Sequence, residues 1–171
     1  MLDLVTKSCA NALTLTNLVF GSGAIVAVQN QNYKLAGILI LCAVFMDGMD
    51  GKIARKLGST SELGKELDSL CDLVSFGVAP AVLLYAQVLG SSFHLFGLLA
   101  AMFYIVCGAL RLARFNVLNI HDYFVGVPIT IAGLILALLS LLAGSIAPIV
   151  LFVSIFILSL LMISNFKVPK F

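Results

Sequence analysis

Four aspartates fall in two closely spaced pairs, and this spacing suits metal-assisted chemistry. Asp47 and Asp50 are three residues apart, and Asp68 and Asp72 are four residues apart. On helices, each pair shares one face. Carboxylate oxygens are the ligands that hard divalent cations such as Mg²⁺ or Mn²⁺ prefer.

The residues around the aspartates predict that the two pairs meet. Gly58, followed by Ser59 and Glu62 in a capping-box pattern, predicts a short turn between two antiparallel helices. Arg55 adds a fixed cation with several donors for phosphate oxygens. Carboxylates at a helix end can also simply pair with nearby lysines and arginines, but this does not account for paired acids on two neighbouring helices.

The composition indicates a membrane protein that carries this polar segment. The chain has 171 residues, of which 61% are hydrophobic and 11% are charged, whereas soluble domains have about 25% charged residues. Ten of the eighteen charged residues lie between Asp47 and Asp72. A formal net charge of +2 gives no reason to expect nucleic-acid binding. We therefore expect a single integral-membrane domain over residues 1–171.

Long uncharged stretches predict an all-α bundle of six transmembrane helices. A bilayer core of ~30 Å needs about 20 apolar residues in a helix. The stretches that meet this need give one span over 13–29, one from 35 to about 57, two between 72 and 111 divided near 90–92, and two between 123 and 166 divided near 143–145. Pro148 is expected at the start of the last helix.

The distribution of cations predicts the orientation of the six spans. Nine of the ten lysines and arginines fall on one side, and only Lys34 falls on the other. The positive-inside rule places the larger set in the cytoplasm. Both termini and the acidic segment are therefore predicted to face the cytoplasm, in a multi-pass protein of the cell membrane. The first apolar run is interpreted as a retained helix because no cleavage site of the usual kind follows it.

Four cysteines have no close-spaced pairing. They are Cys9, Cys42, Cys71 and Cys107. We interpret them as small residues in helix packing, with a disulfide framework or a thiolate metal site as the alternative.

The acidic segment resembles the motif of a known enzyme family. The pattern is Asp47-x-x-Asp50-Gly51-x-x-Ala54-Arg55, then eight residues, then Gly64-x-x-x-Asp68-x-x-x-Asp72. All eight specified positions, spread over 26 residues, match the CDP-alcohol phosphotransferase family.

This resemblance implies an integral membrane enzyme with six core helices that forms a homodimer. Such an enzyme displaces CMP from a CDP-activated lipid by the hydroxyl group of an alcohol, with two divalent cations, Mg²⁺ or Mn²⁺. The implied metal ligands are Asp47, Asp50, Asp68 and Asp72, and Asp72 is also the implied general base. The residues implied to hold the CDP-lipid are Asn17, Gly51, Arg55, Ser61 and Gly64.

Two further stretches concern the acceptor alcohol. Residues 67–80, LDSLCDLVSFGVAP, and residues 111–116, RLARFN, resemble the phosphatidylserine synthase branch of the family. This implies transfer of a phosphatidyl or archaetidyl group to L-serine. Arg111 and Arg114 can clamp the carboxylate of serine, and Asn116 can add a polar contact. Alternatively, the two arginines bind the phosphates of membrane lipids.

Other functions are compatible with parts of this pattern. A sister transferase would accept glycerol 3-phosphate or inositol phosphate, and the same arginines would serve it. A small cation transporter would use the acidic cluster as its ion site, although the acids lie near one face and the sequence has no visible inverted repeat. A purely structural membrane protein leaves the aspartates without a role.

Overall fold

The computed structural model describes residues 2–57, 62–118, 123–164 and 167–169, with side chains for 12–49, 63–117 and 126–164.

The first two helices form an antiparallel pair. Helix α1 covers Leu2–Gln29 and helix α2 covers Tyr33–Leu57. Asn32 caps the start of α2: its side-chain oxygen accepts a hydrogen bond from the backbone N–H of Leu35 at 3.2 Å. The predicted continuation of the second helix to Leu57 is confirmed.

The next stretch is helical apart from a break at His94, and it contains two π-helical turns. It contains helix α3 (Glu62–Asp72), a π-helical turn (Leu73–Val78), helix α4 (Ala79–Leu84), a second π-helical turn (Tyr85–Leu89) and helix α5 (Gly90–Leu118). The helical path is broken at His94, where φ is 45° and ψ is −115°. Beyond this break α5 packs back against both π-helical turns. The reversal predicted near residues 90–92 therefore has its break two residues later.

The last two helices and a small ribbon complete the described structure. Helix α6 covers Ile129–Leu141, and helix α7 begins as predicted at Pro148 and ends at Ile163. Two short strands, β1 (Tyr123–Val125) and β2 (Lys167–Pro169), pair in antiparallel fashion. This ribbon is an addition to the all-α fold expected from the sequence. Its strands are too short to give an alternating pattern.

The surface of this helical protein is strongly apolar. Phe45, Phe96 and Val117 are among the large hydrophobic side chains that remain exposed. The stretch 12–29 has a mean hydropathy of 1.5, and the most apolar 18 residues within 63–117 have a mean of 2.0, so each stretch is long and apolar enough to cross a bilayer. The apolar helices α6 and α7 are shorter, with 13 and 16 residues. These features are those of helices packed in a membrane rather than in water.

Small buried side chains allow the helices to approach one another closely. Ala24 on α1, Ala36 on α2 and Ala132 on α6 are fully buried. Close approach of this kind is how helices associate in a bilayer, where the hydrophobic effect does not drive them together. Cys71 and Cys107 are buried and Cys42 is partly buried; these three form no disulfide within the described residues, and the side chain of Cys9 lies outside them.

Candidate functional site

Three of the four aspartates converge from two helices. Asp47 projects from α2, and Asp68 and Asp72 project from the last turns of α3. One ligand oxygen from each carboxylate lies within 4.8 Å of the other two. Asp72 is 8% exposed, and Asp47 and Asp68 are partly buried. The predicted meeting of the two acidic segments therefore occurs between Asp47 and the pair on α3.

The donor set of this cluster fits a hard divalent cation. Three carboxylates at such a separation repel one another, and burial of Asp72 reduces the screening by water. A cation held among them replaces this repulsion with attraction. All the candidate ligand atoms are oxygens, which suits Mg²⁺ or Mn²⁺ better than softer metals. The cluster can thus hold a divalent cation.

Asn17 on α1 connects a third helix to the cluster. Its side-chain Nδ2 donates a hydrogen bond of 3.2 Å to Oδ1 of Asp72. The residue is 1% exposed, and its Oδ1 has no hydrogen-bond partner within the part of the chain that the structure describes. An unsatisfied buried oxygen is costly unless something binds it. This amide oxygen lies beside the carboxylates and can coordinate a cation or accept a hydrogen bond from a substrate.

Close packing of α1 against the first π-helical turn places Asn17. The hydroxyl of Ser75 donates a hydrogen bond of 3.1 Å to the backbone oxygen of Asn17. Gly21, one turn later on α1, packs directly on Ser75: a Cβ at position 21 would lie 2.7 Å from the Ser75 Cα atom. A larger residue at position 21 would push α1 away and carry the Asn17 amide with it. Sequence reasoning missed Ser75, although it lies within the quoted stretch 67–80.

Arg111 lies on α5 beside the acidic cluster. Its guanidinium attracts the carboxylate of Asp72. Its Nε is buried and has no hydrogen-bond partner among the described residues. A fixed cation next to the carboxylates, with a donor still unused, can bind an anionic group of a substrate.

The other two residues of the predicted acceptor site lie further along α5. Arg114 is exposed. The Asn116 amide donates hydrogen bonds to Ser69 Oγ at 3.1 Å and to Glu66 Oε1 at 3.4 Å. Asn116 therefore joins α5 to α3 at the level of Asp68. Of the three predicted residues, Arg111 is the one for which the structure shows an interaction with Asp72.

Several predicted site residues lie outside the described side chains. They are Asp50, Gly51, Arg55 and Ser61, together with the predicted turn at 58–61. Gly64 is described and lies partly buried on α3, one turn before Asp68.

Comparison with known families agrees with this geometry. A family model described as CDP-alcohol phosphatidyltransferase matches residues 7–163. The chain belongs to this family. The match covers the helices that supply Asn17, Asp47, Asp68, Asp72 and Arg111. Family membership and the apolar helices together indicate a membrane protein.

Curated relatives in this family share much of their sequence with the chain. A CDP-diacylglycerol–serine O-phosphatidyltransferase of Bacillus subtilis is 40% identical over 93% of this chain and 88% of its own length. Proteins of the same name from Methanocaldococcus jannaschii and Helicobacter pylori are 38% and 35% identical. These alignments cover 93% and 94% of this chain, and 72% and 71% of the relatives.

Proposed function

We propose that this protein transfers the phosphatidyl group of a CDP-activated lipid to the hydroxyl group of L-serine and releases CMP. The observation that carries the proposal is the convergence of Asp47, Asp68 and Asp72 within 4.8 Å in an apolar helical protein of this family. The names of the relatives from three organisms support serine as the acceptor.

The four aspartates would hold two divalent cations, Mg²⁺ or Mn²⁺. The described carboxylates of Asp47, Asp68 and Asp72 support this assignment, and Asp50 follows from the sequence motif. When bound, such cations neutralise the diphosphate of the donor and stabilise CMP as the leaving group.

Asp72 is proposed as the general base. The serine oxygen attacks the phosphorus that carries the lipid, the bond from this phosphorus to the CMP oxygen breaks, and the hydroxyl proton moves to Asp72. A carboxylate within hydrogen-bond reach is needed because the serine hydroxyl is a weak nucleophile. The bond from Asn17 to Oδ1 restrains the Asp72 side chain and leaves Oδ2 for the proton. Asn17 is therefore proposed to orient the base.

The nucleotide part of the donor is assigned to residues of the motif. Gly51 and Gly64 leave room for the backbone to approach the nucleotide. Arg55 and Ser61 supply donors for phosphate oxygens. In this proposal, Oδ1 of Asn17, which has no hydrogen-bond partner among the described residues, accepts a hydrogen bond from the same ligand or coordinates its bound cation.

Arg111 is proposed to bind the carboxylate of serine. Its position beside Asp72 would bring the serine hydroxyl near the base, and its unused buried Nε supports a role in ligand binding. Arg114 is exposed, so binding of lipid phosphate is proposed for it. Asn116 is proposed to support the acceptor pocket by joining α5 to Ser69.

An apolar groove on α1 and α2 is proposed for an acyl chain of the donor. It has a volume of about 360 Å³ and is lined by Phe20, Ile38, Leu41, Cys42, Phe45 and Met46. Met46 immediately precedes Asp47 on α2, so one lining residue of the groove lies at the level of the acidic cluster along the helix. This arrangement would keep the acyl chain in apolar surroundings while the diphosphate of the lipid reaches the carboxylates.

We further propose six membrane crossings with the acidic cluster on the cytoplasmic side. The reversal at His94 supports two crossings within the stretch 63–117. The predominance of cations on one side supports the orientation. The homodimer implied by the resemblance stays a prediction.

The test is CMP release by purified protein in detergent, with CDP-diacylglycerol and Mn²⁺ or Mg²⁺. Serine, glycerol 3-phosphate and inositol phosphate are offered separately, with Asp72→Asn as the matched inactive variant. Release with serine alone, abolished by Asp72→Asn and by a chelator, supports the proposal. Release only with a phosphorylated alcohol would overturn the choice of acceptor. No release with any acceptor would overturn the proposed reaction.

A further inference from the structure

The first π-helical turn lies directly after Asp72 and ends two residues before Pro80. Pro80 has no N–H, so the carbonyl of Phe76, four residues earlier, lacks its α-helical donor. The backbone N–H of Ala79 bonds to the oxygen of Val74, five residues back. The helix therefore winds more loosely between Asp72 and Pro80 than a regular α-helix does.

A side chain from another helix bonds to this carbonyl of Phe76. The hydroxyl of Tyr104 on α5 donates a hydrogen bond of 3.0 Å to the oxygen of Phe76. Both Tyr104 and Phe76 are fully buried. A hydroxyl that is buried at this point has a clear use, because an unsatisfied buried carbonyl is costly.

Neighbouring helices hold the same turn from two other sides. Gly133 on α6 lies so close that a Cβ there would be 2.8 Å from the Cβ of Phe76. On the opposite side, Ser75 bonds to the backbone of Asn17, whose amide in turn bonds to Asp72. The π-helical turn is thereby linked to the acidic cluster by covalent and hydrogen bonds.

The winding of this turn determines where the α3 carboxylates point. One residue more or less in a helical turn rotates the helix beyond it by about 100°. If the turn relaxed to a regular α-helix, Asp68 and Asp72 would rotate relative to the packed residues that follow. They would then no longer face Asp47.

We propose that Tyr104 is a positioning residue for the metal site. Its hydroxyl holds the π-helical turn at Phe76, and this turn sets the angle at which α3 presents Asp68 and Asp72 to Asp47. The effect on catalysis rests on the proposed function, whereas the effect on cation binding does not.

Tyr104→Phe tests the proposal, with Ser140→Ala as the matched control. Ser140 is also buried, and its hydroxyl bonds at 2.6 Å to Gln87 in the second π-helical turn. Both variants lose one hydroxyl hydrogen bond between a helix and a π-helical turn; the bond of Tyr104 is buried and that of Ser140 is partly buried. Mn²⁺ binding to the purified protein without substrates is measured from the electron paramagnetic resonance of free Mn²⁺, and unfolding is followed thermally.

We expect Tyr104→Phe to weaken Mn²⁺ binding about tenfold, the size of effect that loss of one buried bond can give. It should lower kcat by a similar factor and change the serine KM less than twofold. Ser140→Ala should lower the unfolding temperature comparably and leave Mn²⁺ binding within twofold of the original protein. Unchanged Mn²⁺ binding in Tyr104→Phe, or an equal loss in Ser140→Ala, would overturn the proposal.

Pro80→Ala provides a second test that does not depend on the stability of the tyrosine variant. It supplies an N–H to the Phe76 carbonyl and so favours regular α-helical winding. We expect weaker Mn²⁺ binding without a lower unfolding temperature. Normal Mn²⁺ binding in Pro80→Ala would contradict the proposal. If the original protein binds Mn²⁺ but releases no CMP, the proposed reaction is refuted and the proposed role of Tyr104 in cation binding is not.

Discussion

Replacing Asp68 by asparagine should stabilise the protein without metal and weaken its response to metal. The change removes one negative charge and preserves the shape of the side chain. In the structure, the candidate ligand oxygens of Asp47, Asp68 and Asp72 lie within 4.8 Å of one another. A purely structural aspartate would give the opposite result in the absence of metal, because its loss would lower stability.

The size of the effect follows from this distance. Two unit charges at 4.8 Å repel by about 3.5 kcal/mol at an effective dielectric constant of 20. Asp68 takes part in two such pairs, with Asp47 and with Asp72. Both Asp47 and Asp68 are partly exposed, so screening and counterions reduce the sum, and we expect about 1–2 kcal/mol to remain. For a chain of this size, this raises the unfolding temperature by about 3–6 °C.

The assay is thermal unfolding in detergent, with a chelator or with saturating Mn²⁺. The thiols of Cys71 and Cys107 are buried, so a thiol-reactive fluorophore reports their exposure on unfolding. A cation at 100 times its Kd stabilises the original protein by about 2.7 kcal/mol. Asp68→Asn should lose most of this stabilisation. The variant should therefore unfold at a higher temperature than the original protein in chelator and at a lower temperature in Mn²⁺.

Glu66→Gln is the control, because it neutralises an exposed carboxylate on the same helix, outside the cluster. It should change the free energy of unfolding by no more than about 0.5 kcal/mol, both in chelator and in Mn²⁺. If Asp68→Asn is less stable than the original protein in chelator, the repulsion inferred from the structure is wrong. If Mn²⁺ does not stabilise the original protein, the carboxylates do not form a cation site.

Three further predictions concern the substrates and the packing. Arg111→Lys should raise the serine KM about tenfold in steady-state kinetics, because it keeps the charge but loses the fork of donors. An equal serine KM in the variant and the original protein would remove Arg111 from the serine site. Cys42→Trp should fill the groove on α1 and α2 and raise the KM for a long-chain CDP-lipid but not for a short-chain one; equal effects on both donors would contradict an acyl-chain site. Gly133→Val should lower the free energy of unfolding by about 1–3 kcal/mol, because its Cβ would overlap Phe76; unchanged thermal unfolding would contradict this contact.

Local patterns in the sequence predict most of the helix boundaries. Pro148 begins α7 as expected, since proline suits the first turn of a helix. The second helix continues through Asp47 to Leu57 as expected, although it contains Gly48, Gly51 and several charged residues. Small polar residues predict a break between two spans at 90–92, but the chain takes its unusual backbone angles at His94, inside α5. Packing of α5 on the preceding turns decides that position.

Contacts between distant residues account for what the sequence did not predict. The spacing of the aspartates predicts that the two acidic segments meet, and Asp47 does lie beside Asp68 and Asp72. The hydrogen bond from Asn17 to Asp72 joins residues 55 positions apart, and no local pattern encodes it. Pro80 signals an interrupted helix, but the donor that completes the turn, Tyr104, lies on another helix.

Transfer of labelled serine into lipid tests the central claim most directly. Purified protein in detergent receives CDP-diacylglycerol, Mn²⁺ and ¹⁴C-serine, and both CMP and lipid-soluble label are measured over time. The proposed reaction predicts equal amounts of CMP and labelled phospholipid, with neither product formed by Asp72→Asn or in the presence of a chelator. Release of CMP without label in the lipid would contradict serine as the acceptor, and the absence of both products would contradict the proposed transfer.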